Sequence, residues 1–127
     1  MTRLVPELYC TDIGKSLEFY TGILGFSVLY DRPDEGFAYL GRQGAELMLD
    51  EVDKTRTWLK GPLDFPFGRG VNLQIETDEV ENLYKTVKTS GVDVFMDLEK
   101  KWYRCGSEIK GNWQFIVCDP DGYLLRF

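Results

Sequence analysis

Apolar residues recur at helical spacing near the start of the chain, and they predict one amphipathic helix there. The stripe consists of Ile13, Leu17, Tyr20 and Leu24. Asp12 is a good N-cap for such a helix, and Gly25 is placed to end it in the left-handed conformation. Apolar runs over residues 3–10 and 26–31 flank the helix, and each predicts a strand. Because Pro6 cannot donate a ladder hydrogen bond, the first strand is expected at an edge or to have an unpaired side.

Two further strands complete this unit. Residues 37–40 and 46–50 are apolar runs on either side of a short turn, which predicts a hairpin. A turn cluster at residues 32–36 separates the hairpin from the strand before it. The order of elements in this first module is therefore β-α-β-β-β.

The same plan then occurs again. Residues 12–31 and 78–97 carry Asp, Leu, Gly, Val and Asp at matching positions. A repeat of this kind is a supersecondary unit that cannot bury its apolar face alone, so two copies are expected to pair. The sequence thus predicts an α+β fold of two tandem βαβββ modules that enclose a space. The modules cover about residues 1–60 and 66–127 of a single domain, residues 1–127.

The second module shows the same signals. Asp78 and Glu81 have the spacing of a capping box for a helix that ends at Gly91. Residues 97–112 are expected to form a long polar loop. Asp119-Pro-Asp-Gly122 is a strong type I turn signal. The predicted strands of this module are residues 71–76, 92–96, 113–118 and 123–127.

Composition narrows the possible functions. The net charge of −6 argues against nucleic-acid binding and favours neutral or cationic small ligands. The chain has no histidine, the commonest metal ligand and the commonest general base near neutral pH. No apolar run approaches the roughly 20 residues that span a bilayer, and no secretory signal is apparent, so we expect a cytoplasmic protein without membrane contact. Cys10 and Cys118 are expected to be small buried apolar side chains.

Three motifs, together with the repeat, point to a family. They are Ser16-Leu-Glu-Phe-Tyr20, Leu24-Gly25-Phe26 and Asp119-Pro-Asp-Gly122-Tyr-Leu-Leu. The combination resembles the vicinal oxygen chelate superfamily, which includes glyoxalase I, extradiol dioxygenases, fosfomycin-modifying enzymes and bleomycin resistance proteins. The resemblance covers essentially the whole chain. It implies a half-open barrel of sheet from each module, a half-barrel cleft between the modules, and often a homodimer.

The resemblance also implies four metal-ligand positions, two in each module. Carried over from the helix caps and the hairpin glycines, they fall on Val5 (or Pro6), Met48, Asn72 and Arg126. None of these side chains is a usual ligand of a divalent cation, and an arginine would repel one. The carboxylates that share a strand face with these positions are expected to be edge or surface charges. They are Glu7, Glu46 and Asp50. We therefore expect no metal, no cofactor and no catalytic residue.

Among the members that lack the metal, the bleomycin resistance proteins are the most similar, and they bind a drug without chemistry. The resemblance implies that this chain sequesters an antibiotic or another aromatic or cationic ligand. The candidate ligand-binding residues are Phe37, Met48, Asn72, Trp102, Tyr103, Trp113 and Arg126. Trp102 and Tyr103 are expected to stack on a flat group, and Arg126 to attract an anionic or carbonyl group. The expected partners are this small molecule and a second copy of the chain, because open sheet edges need covering.

Two other hypotheses stay open. The first is an enzyme of the same superfamily, a lyase or an oxidoreductase, with a recruited metal site or with acid–base chemistry by Glu46, Asp50 or Tyr103. The second is a dimerisation or regulatory module with an empty cavity. The aromatic residues have a plain structural explanation as core or interface side chains. The arginines have one too, as salt-bridge partners of Glu46 or Asp50.

Overall fold

Each half of the chain forms one four-stranded sheet with a helix against it, in a computed structural model that describes residues 2–127. The first half contains β1 (Glu7–Cys10), α1 (Ile13–Leu17), β2 (Ser27–Arg32), β3 (Phe37–Arg42) and β4 (Ala45–Glu51). The second half contains β5 (Asn72–Gln74), α2 (Val80–Ser90), β6 (Val94–Cys105), β7 (Glu108–Cys118) and β8 (Leu124–Arg126). The sheet orders, β1-β4-β3-β2 and β5-β8-β7-β6, are identical once the repeat is taken into account. The predicted α+β fold of two βαβββ modules is confirmed.

The two helices end as predicted but differ at their beginnings. Asp12 caps α1 by accepting a hydrogen bond from the Lys15 N–H, and the helix continues as a π-helical segment over Glu18–Ile23. Gly91, at a φ of 79°, ends α2 in the left-handed conformation. The predicted capping box of α2 is wrong, because its N-cap is Glu79 and makes no side-chain cap bond. Within residues 2–127, no helix is long and apolar enough to cross a membrane.

The predicted loop over residues 97–112 is also wrong. β6 and β7 run through it as a long antiparallel hairpin, with Glu99 opposite Gln114 and Cys105 opposite Glu108. The outer part of this hairpin is exposed on both faces. A ribbon with two exposed faces needs no alternation of apolar and polar residues, so its sequence lacks the pattern that identifies a half-buried strand.

One apolar core is shared by both modules. Tyr20 and Leu24 from the first helical segment are fully buried, together with Leu49 from the first sheet and Phe115 and Leu125 from the second. Both sheets therefore turn one face toward the helices. The opposite face of each sheet is free to contact a ligand.

The turn at Asp119–Gly122 ties the modules together. Gly122 donates to the Asp119 carbonyl, as a type I turn requires. The Asp119 carboxylate accepts a hydrogen bond of 2.8 Å from the Tyr20 hydroxyl of the first module. Asp121 accepts one of 2.7 Å from the Thr11 hydroxyl. The turn is thus a structural joint between the two halves.

Candidate functional site

The open face of the first sheet is made of two rows of side chains. Leu47 and Leu49 of β4 are buried in the core, so Met48 and Asp50 lie on the other face by strand alternation. The strand register places Asp50 between Tyr9 of β1 and Phe37 of β3. This first row is flat, aromatic and centred on one carboxylate.

The second row lies one pleat along the strands. Met48 is its centre, with Glu7 on one side and Tyr39 on the other. Tyr30 of β2 pairs with Tyr39, and their rings stack with centroids 5.0 Å apart. The Tyr39 hydroxyl donates to Glu46 at 2.9 Å, which fixes the ring in place.

These two rows form the floor of a cleft of about 540 Å³. Trp58, from the segment between the modules, forms one wall, and its backbone N–H donates to the Tyr9 hydroxyl at 2.9 Å. Arg32 lies over the Phe37 ring at 4.0 Å and pairs with Glu35 at the rim. This cleft, which we call the module-one cleft, is lined by Glu7, Tyr9, Tyr30, Arg32, Glu35, Phe37, Met48, Asp50, Thr55, Arg56 and Trp58.

Asp50 is a buried carboxylate, not the surface charge that its sequence context predicts. Only 8% of the residue is exposed, and its Oδ1 atom has no hydrogen-bond partner among the described residues. Burial raises the pKa of Asp50, although the nearby Arg32 guanidinium acts in the opposite direction. Glu7 is partly buried beside it, and burial together with the charge of Asp50 raises the pKa of Glu7. Two carboxyl groups therefore share one apolar floor.

The second sheet has a different open face. Arg126 of β8 lies beside Gln74 of β5 in register and donates to its Oε1 atom at 2.9 Å. The buried Nε atom of Arg126 has no partner among residues 2–127. Gln114 of β7 donates to Glu99 at 3.1 Å. Arg126, Gln74, Gln114 and Trp113 border a cavity of about 270 Å³, which we call the module-two cavity.

The three aromatic candidates of the second module, Trp102, Tyr103 and Trp113, do not form one platform. Trp102 and Tyr103 are neighbours on β6, so their side chains point to opposite faces of the hairpin. The ammonium group of Lys100 lies over the rings of both Trp102 and Trp113, at 4.6 and 5.0 Å, so these two tryptophans share a face. Tyr103 is on the other face. A single flat group cannot stack on Trp102 and Tyr103 together within one chain.

The four carried-over positions are not brought into one cavity within a chain. Met48 lies in the module-one cleft and Arg126 borders the module-two cavity. Asn72 borders a third space, of about 430 Å³, where the start of the chain meets β5. Val5 lies just before β1 and lines none of these three spaces.

The strand registers correct two of these positions. Met48 and Arg126 keep their places, but Glu7 is the residue beside Met48, and Gln74 is the residue beside Arg126. Counting back from the helix cap to Val5 and Asn72 goes two residues too far in each module. The matched positions, Glu7 and Gln74, both lie five residues before the N-cap that the structure shows, Asp12 or Glu79.

The corrected set does not fit a divalent metal. Glu7 is its only carboxylate, Met48 offers a thioether, and Arg126 is a permanent cation that already uses Gln74 as its acceptor. Within the part of the chain that the structure describes, no three His, Cys, Asp or Glu side chains are grouped to hold a metal ion. The thiol of Cys10 is no reactive alternative, because burial raises its pKa to about 12.

Several known proteins are similar to this chain in sequence or in fold. A family model described as "Glyoxalase/Bleomycin resistance protein/Dioxygenase superfamily" matches residues 3–127. A bleomycin resistance protein of Geobacillus stearothermophilus is 27% identical, over 100% of this chain and 96% of that protein. A probable lactoylglutathione lyase of Vibrio cholerae is 29% identical, over 91% of this chain and 80% of that protein. The solved structure of TioX from Micromonospora sp. ML1 covers 100% of this chain and 97% of its own, with a TM-score of 0.73 and 21% identity.

Proposed function

The chain belongs to the glyoxalase/bleomycin resistance protein/dioxygenase superfamily, and we propose that it is a metal-free binding protein of that superfamily. It sequesters a small aromatic or cationic molecule, such as an antibiotic, and it does no chemistry on that molecule. The observation that carries this proposal is the donor set at the four matched strand positions, Glu7, Met48, Gln74 and Arg126. These side chains can hold polar and apolar groups of an organic ligand far better than a divalent ion.

The lining of the two open faces supports a planar or partly apolar ligand. Tyr9, Phe37 and Trp58 offer ring surface in the module-one cleft. Trp113 and Arg126 offer ring surface and a guanidinium group in the module-two cavity. Trp102 and Tyr103 lie farther out on the β6–β7 hairpin and are exposed. In this proposal, Met48 supplies an adaptable part of the module-one floor, and Asn72 borders the separate third space.

The lyase relatives raise a second candidate function, an enzyme of the same superfamily. A metal centre of that kind needs several ligands that are deprotonated at neutral pH. The matched positions of this chain supply one such side chain, Glu7. We therefore place the enzyme second, and metal-dependent turnover of a lactoylglutathione lyase substrate is the result that would raise it to first.

We also propose that the protein is a homodimer. The outer strands of the two sheets, β2 and β6, are long edges that expose large apolar residues. These residues are Val28, Leu29, Tyr30, Phe95, Trp102 and Tyr103. An exposed apolar edge is a pairing hazard unless another chain covers it. Pairing by a two-fold axis would also bring open faces of different chains toward each other.

Sedimentation velocity at micromolar concentration tests the dimer. We expect a single species of twice the 14.7 kDa chain mass, with or without added ligand. A species at the mass of one chain, unchanged by ligand, would contradict the proposal.

Changing Arg126 to alanine should weaken ligand binding without unfolding the domain. The guanidinium lies at the border of the module-two cavity, and within residues 2–127 its one hydrogen bond to a side chain is the bond to Gln74. We expect an affinity loss of about tenfold or more, because a charge-assisted hydrogen bond of roughly 1.5–3 kcal/mol is removed. Calorimetric titration of metal-free bleomycin into both proteins, in chelator, measures the loss. Lys110→Ala, an exposed cation on the outer hairpin, is the control. Equal affinity of R126A and native protein would remove Arg126 from the site.

A further inference from the structure

The carboxylate at the centre of the module-one cleft lacks a partner. Asp50 is more than nine-tenths buried, it lines the cleft, and its Oδ1 atom makes no hydrogen bond within residues 2–127. A buried polar atom that is left unpaired costs about 1–3 kcal/mol, more when it is charged. A buried carboxylate that stays unpaired at such a cost indicates that a partner from outside the chain binds it.

The surroundings of Asp50 favour a cation. Tyr9 and Phe37 flank it in register, and both line the cleft, with the Arg32 guanidinium over the Phe37 ring. Aromatic rings attract an ammonium or guanidinium group through their quadrupole. Glu7, one pleat away, adds a second acidic group to the same floor. An anion at this position would lie beside two carboxyl groups.

The chain's own cations at this cleft are engaged elsewhere. Arg32 forms its ion pair with Glu35 and lies over the Phe37 ring. Arg56 lies over the Trp58 ring at 4.7 Å. Among the described residues, no arginine or lysine nitrogen lies within 4.0 Å of the Asp50 carboxylate. The Asp50 carboxylate thus forms no ion pair within residues 2–127, although its Oδ1 atom is itself enclosed by the protein.

We propose that the module-one cleft binds a protonated primary or secondary amine, whose N–H group donates to the Asp50 carboxylate beside the Tyr9 ring. This inference rests on the proposed function and names the ligand chemistry at one half of it. A quaternary ammonium has no N–H to donate to this carboxylate and should bind less tightly. A divalent metal is a poor occupant, because Met48 and the rings provide no further hard donors.

Tryptamine and tryptophol form a matched pair of probes, since both carry an indole but only tryptamine is charged at pH 7. We would titrate each into the full-length, ¹⁵N-labelled protein in chelator and follow the backbone amide resonances. We expect tryptamine to shift the amides of Tyr9, Phe37 and Asp50 in a saturable manner. Tryptophol should bind at least about tenfold more weakly, because it forms no charge-assisted bond.

Variants separate a specific carboxylate from general acidity. D50N should weaken tryptamine binding about tenfold or more, and it should raise the melting temperature because an unpaired buried charge is removed. D34N removes one exposed negative charge near the same rim and should change the affinity less than about twofold. A melting curve confirms that each variant is folded.

Three results would overturn the inference. They are equal binding of tryptamine and tryptophol, native affinity in D50N, and the absence of a saturable shift at the module-one cleft with millimolar tryptamine. If bleomycin still binds the chelated protein in any of these cases, the amine site is wrong and the proposed function stands. If bleomycin does not bind but tryptamine binds in a D50-dependent way, the amine site stands without the drug.

Discussion

Replacing Gly122 with alanine is expected to lower the free energy of unfolding by about 4 kcal/mol, a large part of the 5–15 kcal/mol typical of a domain. Gly122 has a φ of 96°, a conformation that costs an L-residue roughly 1–3 kcal/mol. A Cβ atom there would also clash with Pro66 Cβ and lie 2.7 Å from Pro66 Cα. Overpacking of this kind costs about another 1–3 kcal/mol. Urea unfolding followed by tryptophan fluorescence measures the change.

Gly44→Ala is the matched control for this prediction. Gly44 has a similar φ of 87°, but a Cβ atom added there would have nothing within 4 Å. G44A therefore reports the backbone strain alone, and we expect it to cost about half as much as G122A. If the two variants lose the same stability, the close contact between Gly122 and Pro66 is not the cause.

Replacing Asp119 with alanine is expected to cost about 3 kcal/mol. Its carboxylate accepts hydrogen bonds from the Tyr20 hydroxyl and from the backbone N–H groups of Asp121 and Tyr123, at 2.8, 2.9 and 3.0 Å. The Tyr20 side chain is fully buried, so its hydroxyl would be left without an acceptor. Each buried donor left unpaired costs about 1–3 kcal/mol, and relaxation recovers part of the sum. Thermal and urea unfolding both measure the loss.

The same carboxylate makes stability depend on pH in a predictable direction. Burial raises the pKa of Asp119 to about 6, above its ordinary value of 3.8, so the folded protein holds this proton more tightly than the unfolded chain. The free energy of unfolding should therefore increase as the pH falls from about 6 toward 4.

D119N keeps the acceptor for both backbone N–H groups and removes the charge. It should be at least as stable as the native protein at pH 7 and should lose most of the increase at lower pH. The assignment would be contradicted if the native protein and D119N both lost stability steadily from pH 7 to pH 5.

Much of the fold was predictable because its signals are local and duplicated. The apolar stripe from Ile13 to Leu24, the cap at Asp12 and the glycines at 25 and 91 each act within one element. The repeat then supplies the long-range information that a single module lacks. It predicts that the second sheet has the same strand order as the first.

The outer hairpin and the start of α2 could not be predicted in the same way. Backbone hydrogen bonds hold the two exposed strands of the hairpin together, so the pattern of side chains carries little information about them. Asp78 fits a cap by residue type, but its N–H donates to Gln43 of the first module at 3.0 Å. That contact depends on how the two modules pack, which no short motif encodes.

The candidate site was also predictable only in part. Met48 and Arg126 lie on open faces, as their distances from the turn glycines imply, and Phe37, a candidate from the family resemblance, lies on the same face as Met48. Glu7 and Gln74 were missed because strand register, rather than spacing along the chain, decides which residues are neighbours. Asp50 was underestimated because a charged residue in an amphipathic strand is usually exposed. Its burial results from Tyr9 and Phe37 on adjacent strands, a feature of tertiary structure.

We expect this domain to bind a small molecule without a metal. A thermal-shift screen of the chelator-treated protein against aromatic and cationic compounds, bleomycin included, decides whether it does. We predict that at least one compound raises the melting temperature in a concentration-dependent way, and that adding divalent metal does not change this rise. The contradicting result is a screen in which no compound shifts the melting temperature, while a stoichiometric divalent metal supports turnover of a lactoylglutathione lyase substrate.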